Sequence, residues 1–142
     1  MDMDDRETER LLAEYEGYKA QADALRESMA LIEDSIARIS VALEALEAAS
    51  SMDQSNEILL PIGPDSFLKA RIIDREHAFV GIGAGSVVKK PLSQAVADLE
   101  KRKSDLEERR KEMGESLQKV ALAAQELAPR LRELVERSRK EG

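Results

Sequence analysis

Residues 11–46 read LLAEYEGYKAQADALRESMALIEDSIARISVALEAL, and their apolar side chains recur at alternating steps of four and three. A repeat that averages 3.5 residues keeps one narrow apolar stripe facing a partner helix, which is the condition for a left-handed coiled coil. The repeat therefore predicts a first long helix, from about Asp5 to about Ala49. Its stripe consists of Leu11, Tyr15, Tyr18, Ala22, Leu25, Met29, Ile32, Ile36, Ile39, Leu43 and Leu46.

The same repeat returns in the last third of the chain and predicts a second long helix, from about Pro91 to about Arg137. Proline suits the first helical position because it has no amide hydrogen to leave unbonded. Two stripe positions, Lys103 and Arg110, are charged. Their long aliphatic stems can cover apolar surface, and their charges disfavour a pairing of the two helices that has slipped out of register. The stripe consists of Leu92, Val96, Leu99, Lys103, Leu106, Arg110, Met113, Leu117, Val120, Ala124, Leu127, Leu131 and Leu134.

Between the helices, residues 57–90 change in character. Short runs of β-branched and aromatic residues surround two turn signals, Gly63-Pro64-Asp65 and Gly83-Ala84-Gly85. Such runs around glycine-containing turns predict two β-hairpins. The polar stretch Ser50–Asn56, which contains Gln54, ends the first helix before them.

These elements predict one subunit over residues 1–142, mostly α with a small β block. Both helices leave the same block, so they can fold back as a long antiparallel two-helix coiled coil. Pairing outward from the block places Leu11 and Tyr15 near residues 124–131. The start of the first helix and the end of the second then share one end, here called the tip.

The β block carries more apolar surface than two hairpins can bury. Isolated hairpins are marginal in water, and their open edges invite pairing. Closing a β-barrel with strands of other subunits would cover both the edges and the apolar faces. The sequence thus predicts an obligate oligomer whose interface contains Ile58, Leu60, Ile62, Phe67, Leu68, Ile72, Phe79, Val80, Ile82, Val87 and Val88.

Composition argues against several classes of function. The net charge of -7 disfavours nucleic acid as a partner, because phosphate contacts need clustered Lys and Arg. The chain has no Cys, and no apolar run reaches the length of a membrane span. The acidic start, Met1 to Asp5, is unlike a secretory signal. We expect a soluble cytoplasmic protein that contacts no membrane.

Residues for catalysis are scarce. The glycines of Gly81–Gly85, followed by Lys89 and Lys90, invite a nucleotide-binding interpretation, but they lack the third glycine spacing and the phosphate-loop ending. A hairpin turn explains them better. His77 is the only histidine, so a His-dependent triad or a His cluster for a metal has little to work with. The sequence predicts no enzyme activity, no catalytic residue, no metal site and no cofactor.

The tip is the candidate binding site. Across from Leu131 and Leu134 the first helix offers polar residues such as Thr8 and Asp4, so we expect these two leucines to lack apolar partners. Exposed apolar surface usually marks an interaction site; the alternative is ordinary coiled-coil ends that fray. The candidate residues are Leu11, Leu12, Tyr15, Tyr18, Leu127, Leu131, Leu134 and Val135.

The two hairpin segments carry a family resemblance. Residues 60–70, LPIGPDSFLKA, and residues 80–90, VGIGAGSVVKK, set between matched coiled coils, resemble the α-class subunits of the prefoldin family in their archaeal form. The resemblance covers the chain from about Leu11 to Val135.

That resemblance implies a chaperone subunit that holds unfolded polypeptide at its coiled-coil tip without ATP and delivers it to a group II chaperonin. It also implies an assembly of two α subunits with four prefoldin β subunits, joined through a double β-barrel. Two other functions stay open: a coiled-coil adaptor or scaffold that binds a folded partner, and a regulatory subunit of a nucleotide-using complex.

Overall fold

The computed structural model describes residues 3–53 and 55–141. Met1 and Asp2 of the acidic start and Gln54 of the predicted loop lie outside the described residues. The prediction of two long helices around two hairpins is confirmed. The elements are α1 (Met3–Ser51), β1 (Ile58–Gly63), β2 (Ser66–Ala70), β3 (His77–Gly83), β4 (Ser86–Pro91) and α2 (Leu92–Glu141).

Both helices are longer than their repeats required. The first turn of α1 holds Asp4 and Asp5, and the last turn of α2 holds Arg139 and Lys140, which is the charge order that the helix dipole favours. Pro91 is the last residue of β4 and not the first of α2, a place that suits a residue with no amide hydrogen for a ladder.

The chain divides into two compact units. One contains residues 3–34 and 106–141 and is called the helical unit; the other is Ser35–Asp105, the strand unit. Within the helical unit α1 and α2 run antiparallel. Glu33 pairs with Arg110 at 2.8 Å, and farther along the helices Leu11 packs against Leu131 and Leu134.

The predicted stripe positions are withdrawn from solvent. Every stripe residue of α1 is buried or half-buried, and so is every one of α2 except Arg110. The Arg110 guanidinium instead reaches the Glu33 carboxylate, in line with a charged seam residue that keeps its head in water. Ala95, which the repeat did not include, is also buried.

The two hairpins of the strand unit share one register at an offset of twenty residues. Ile58 pairs with Ala70, and twenty residues later Ala78 pairs with Lys90. The register shifts just before the turn in both, after Pro61 and after Gly81. Each hairpin forms its own two-stranded sheet.

The turns differ because of proline. In the second hairpin Ala84 and Gly85 have positive φ, 52° and 76°, as a type I′ turn requires. In the first hairpin Pro64 holds its φ near −65°, so only Asp65, with φ 51°, is left-handed.

The segment between the hairpins is held by Asp74. Its carboxylate accepts the backbone N–H groups of Glu76 at 2.9 Å and His77 at 3.1 Å. The first of these bonds is the main cause that lowers the pKa of Asp74 below its usual value. A lowered pKa means that this contribution to folding is present above the ordinary pKa and is lost as the pH falls through the lower folded value.

The left-handed Ala84 generates a prediction. An L-residue with a Cβ pays a steric cost in this conformation, whereas Asn tolerates it and Asn-Gly is the favoured type I′ pair. Ala84→Asn should stabilise the protein by about 0.5–1 kcal/mol in denaturant unfolding. Ala48→Asn, on the exposed part of α1, is the control and should not stabilise. Equal effects of both substitutions would contradict the turn assignment.

Candidate functional site

The tip has a small apolar core. Leu11, Leu131 and Leu134 are buried together, with Leu134 only 1% exposed, and Tyr15 and Leu127 pack against them. The expectation that Leu131 and Leu134 lack apolar partners is therefore wrong. It matched residues one to one across the helices, whereas a coiled-coil side chain sits between several residues of the facing helix.

Thr8 and Asp4, the polar residues expected to face these leucines, hydrogen-bond to one another within α1. The Thr8 hydroxyl donates to the Asp4 carbonyl at 2.7 Å, within α1. The polar contacts between the helices at the tip come instead from Arg130, whose guanidinium donates to both Glu7 carboxylate oxygens at 3.1 and 3.2 Å. Arg130 also pairs with Glu133. The Glu7 carboxylate is the main cause that raises the pKa of Arg130, so this guanidinium stays charged.

Beside this core lies an open groove. It has a volume of about 440 Å³, and Tyr15 and residues from Ala128 to Arg139 of α2 line it. Leu131 contributes to its floor, and Val135, 42% exposed, to its wall. Leu12, 45% exposed, lies one turn before Tyr15 on α1. The predicted tip residues thus divide into a buried core and an exposed rim.

A second depression of about 350 Å³ continues from the first, because both include Tyr15 and Ala128. From α1 it is lined by Tyr18, Lys19, Asp23 and Arg26, and from α2 by Ala121, Ala124 and Ala128. The two depressions together are called the lateral groove. The heptad repeat includes Tyr15, Tyr18 and Ala124 but not the small residues beside the seam. Ala121 and Ala128, which flank Ala124 on α2, are the sequence signal for the rest of the groove.

The strand unit has exposed apolar residues on both faces of each hairpin. Leu60 and Leu68 are opposite one another on one face of the first hairpin, and Phe67 lies on the other. In the second hairpin Phe79 is 68% exposed, and Val87 and Ile82 are similarly open. Ile58, Ile72 and Val80 of the predicted interface are half-buried. Leu59 and Ile73 are also exposed, although the predicted interface does not include them.

Features of enzymes are sparse in the part of the chain that the structure describes. Gly81–Gly85 forms the end of β3 and its turn, and the Lys90 ammonium pairs with Asp98 at 2.8 Å. Among the side chains described at residues 3–53 and 55–140, no His, Cys, Asp and Glu residues gather in a group that could hold a metal. Neither described helix is long and apolar enough to cross a membrane.

Comparison with known proteins gives consistent matches. The family model for the prefoldin subunit matches residues 18–137. The chain is similar to prefoldin subunit alpha of Pyrococcus horikoshii, with 36% identity over 72% of this chain and 70% of that protein. It is similar to prefoldin subunit alpha 1 of Thermococcus kodakarensis, with 36% identity over 70% of this chain and 68% of that one.

Among solved structures, the chain is similar to filamentous PFD from Methanocaldococcus jannaschii, determined by cryo-EM. The TM-score is 0.68, the identity 17%, and the match covers 80% of this chain and 94% of that one. At this identity the likeness concerns the fold alone.

The buried tip core generates a prediction. Leu134→Ala would leave a cavity beside Leu11 and Leu131 and should cost about 2–5 kcal/mol in the free energy of unfolding, with faster hydrogen exchange near both helix ends. Leu122→Ala is the matched control, because Leu122 is 57% exposed on the same helix and should change stability by no more than about 0.5 kcal/mol. Equal costs for the two substitutions would show that the tip core does not form.

Proposed function

The chain belongs to the prefoldin family of chaperone subunits, and from this premise we propose that it holds non-native polypeptide at its tip without using nucleotide. The observation that carries the proposal is the lateral groove, where Tyr15, Leu131 and Val135 offer apolar surface beside a packed core. Unfolded chains expose apolar side chains that folded proteins bury, and covering them is favourable by about 25 cal/mol per Å². A shallow open groove suits many different segments.

Within this proposal the eight predicted tip residues have two roles. Leu12, Tyr15, Tyr18 and Val135 form the surface that contacts the client, and Leu11, Leu127, Leu131 and Leu134 fix the shape of that surface from below. Each contact is weak, because little area is covered. Several tips on one assembly raise the effective concentration at the next contact, so the assembly binds more tightly than one tip.

We further propose that the strand unit joins the chain to prefoldin β subunits, two chains of this kind to four of those, in a shared β-barrel. Support comes from the exposed apolar faces and from the two-stranded sheets, each of which has an unpaired edge on either side. Other strands packed over Phe67, Phe79 and Val87 would bury apolar surface and so stabilise hairpins that are only marginally stable alone in water.

Delivery of the held polypeptide to a group II chaperonin, in the cytoplasm, completes the proposal and rests on family membership. The rival function is a coiled-coil adaptor that binds one folded partner. It differs in one measurable respect, because an adaptor would not protect chemically unfolded, unrelated proteins from aggregation.

The role of the exposed tip residues is testable. Leu12→Ser with Val135→Ser should weaken suppression of aggregation severalfold, since both side chains are exposed and their loss removes client contact without a cavity. Light scattering of a diluted unfolded protein, with the full assembly present, measures the effect. Leu31→Ser with Leu122→Ser is the matched control, because both leucines are exposed in the helical unit but lie neither in the groove, as Val135 does, nor one turn from Tyr15, as Leu12 does. Equal loss in both double variants would contradict a site at the tip.

The role of the strands is tested separately. Phe67→Asp and Val87→Asp change equivalent positions of the two hairpins, twenty residues apart, and each places a charge on a face that assembly would bury. Native mass spectrometry after co-expression with a β-class subunit should show loss of the full assembly, while circular dichroism retains the helices. Ser66→Asp and Ser86→Asp, at the first residues of β2 and β4, are the controls. An unchanged assembly mass in the first pair would refute the interface.

A further inference from the structure

We propose that the lateral groove selects extended segments of non-native polypeptide in which apolar side chains are interspersed with aspartate or glutamate. This inference rests on the proposed holding function and adds a selectivity to it. It follows from three properties of the helical unit: the shape of the groove, its apolar lining and the distribution of unpaired positive charge along it.

The shape favours an extended chain. Along α2 the groove runs from Ala121 to Arg139, which at 1.5 Å per residue is roughly 27 Å. At about 3.3 Å per residue an extended segment of some eight residues covers that distance. Alanines at 121, 124 and 128 let the backbone of the segment approach α2 closely, and the Tyr15 and Tyr18 rings line the opposite wall.

Positive charge exceeds negative charge along this groove. Its cationic side chains are Lys19, Arg26, Arg132 and Arg139, and its carboxylates are Asp23 and Glu136. The chain as a whole has a net charge of -7. A groove of the opposite sign to the rest of the protein attracts acidic segments and disfavours basic ones.

The positively charged side chains of the groove differ in whether a carboxylate pairs with them. Arg26 pairs with Asp23 at 3.3 Å, so these two largely cancel. Lys19 lies over the Tyr15 ring, 5.7 Å from its centroid. Among the described residues, Arg132 and Arg139 have no carboxylate within ion-pair distance, whereas Arg130 and Arg137 both pair with Glu133.

The two unpaired guanidiniums flank the apolar floor. Arg132 and Arg139 are seven residues apart on α2, two turns of the helix, and Val135 lies between them on the same side. A client segment with an apolar side chain over Val135 and Leu131 would bring its neighbouring side chains to these two arginines. Glu136, between them, offsets part of the charge, so the selectivity should be moderate.

The experiment uses full-length chain assembled with the same β-class subunits throughout, so that only this groove changes. Three fluorescein-labelled ten-residue peptides carry Leu and Phe at alternate positions and Asp/Glu, Ser or Lys at the others. Fluorescence anisotropy should rank them acidic, neutral, basic, with the acidic peptide bound roughly three- to tenfold more tightly than the basic one, the effect of a few solvent-exposed charge contacts. The preference should vanish near 1 M salt, where the Debye length is about 3 Å.

Charge reversal places the effect in the groove. Arg132→Glu with Arg139→Glu should abolish or invert the ranking. Arg109→Glu with Lys111→Glu makes the same change in net charge at exposed α2 residues outside the groove and should preserve it. A benzophenone in the acidic peptide should cross-link near Tyr15 and Ala128.

The outcomes separate the two proposals. Equal affinity for the three peptides, or a ranking that both double variants change alike, overturns the selectivity and leaves the holding function intact. Failure of all three peptides to bind, together with no suppression of aggregation, overturns the holding function. A bound peptide that is helical by circular dichroism overturns the extended segment in favour of a partner helix.

Discussion

The apolar seam between α1 and α2 is the constraint on which the helical unit depends. A strict alternation of four and three residues keeps one stripe of each helix against the other, and among the described residues no polar side chain is buried in that contact. Because the seam takes up the leucines at its centre, the residues just beside it are left to form the surface. The lateral groove is a direct consequence, with Leu131 in its floor and Val135 in its wall.

The strand unit, unlike the seam, leaves its large apolar side chains exposed. Its hairpins have well-defined registers and turns, yet large side chains such as Phe67 and Phe79 are more than half exposed. A two-stranded ribbon that is apolar on both faces is marginal in water, and further strands or a helix packed on it would stabilise it. Repetition of one hairpin at a twenty-residue offset means that the chain presents two equivalent surfaces of this kind.

The sequence is sufficient to predict the helices and hairpins but not which side chains are buried at the tip. Heptad spacing located the seam from Leu11 to Leu134, and glycine-containing turns located both hairpins, because these signals are local. The burial of Leu131 and Leu134 depends on their contact with Leu11 of the other helix, which spacing within one helix does not specify. The same holds for the groove, whose alanines gain meaning only when Tyr15 and Tyr18 face them. Pro91 ends β4 and does not begin α2, because a proline suits a strand end as well as a helix start.

The central claim is that clients bind along the lateral groove and that the strands join the subunits of the assembly. Hydrogen exchange of the complete assembly, measured with and without a bound unfolded protein, tests this claim most directly. Bound clients should add protection in segments 12–26 and 121–139 and should leave segments 58–91 unchanged. Added protection in the strands, with none in the helical segments, would contradict it.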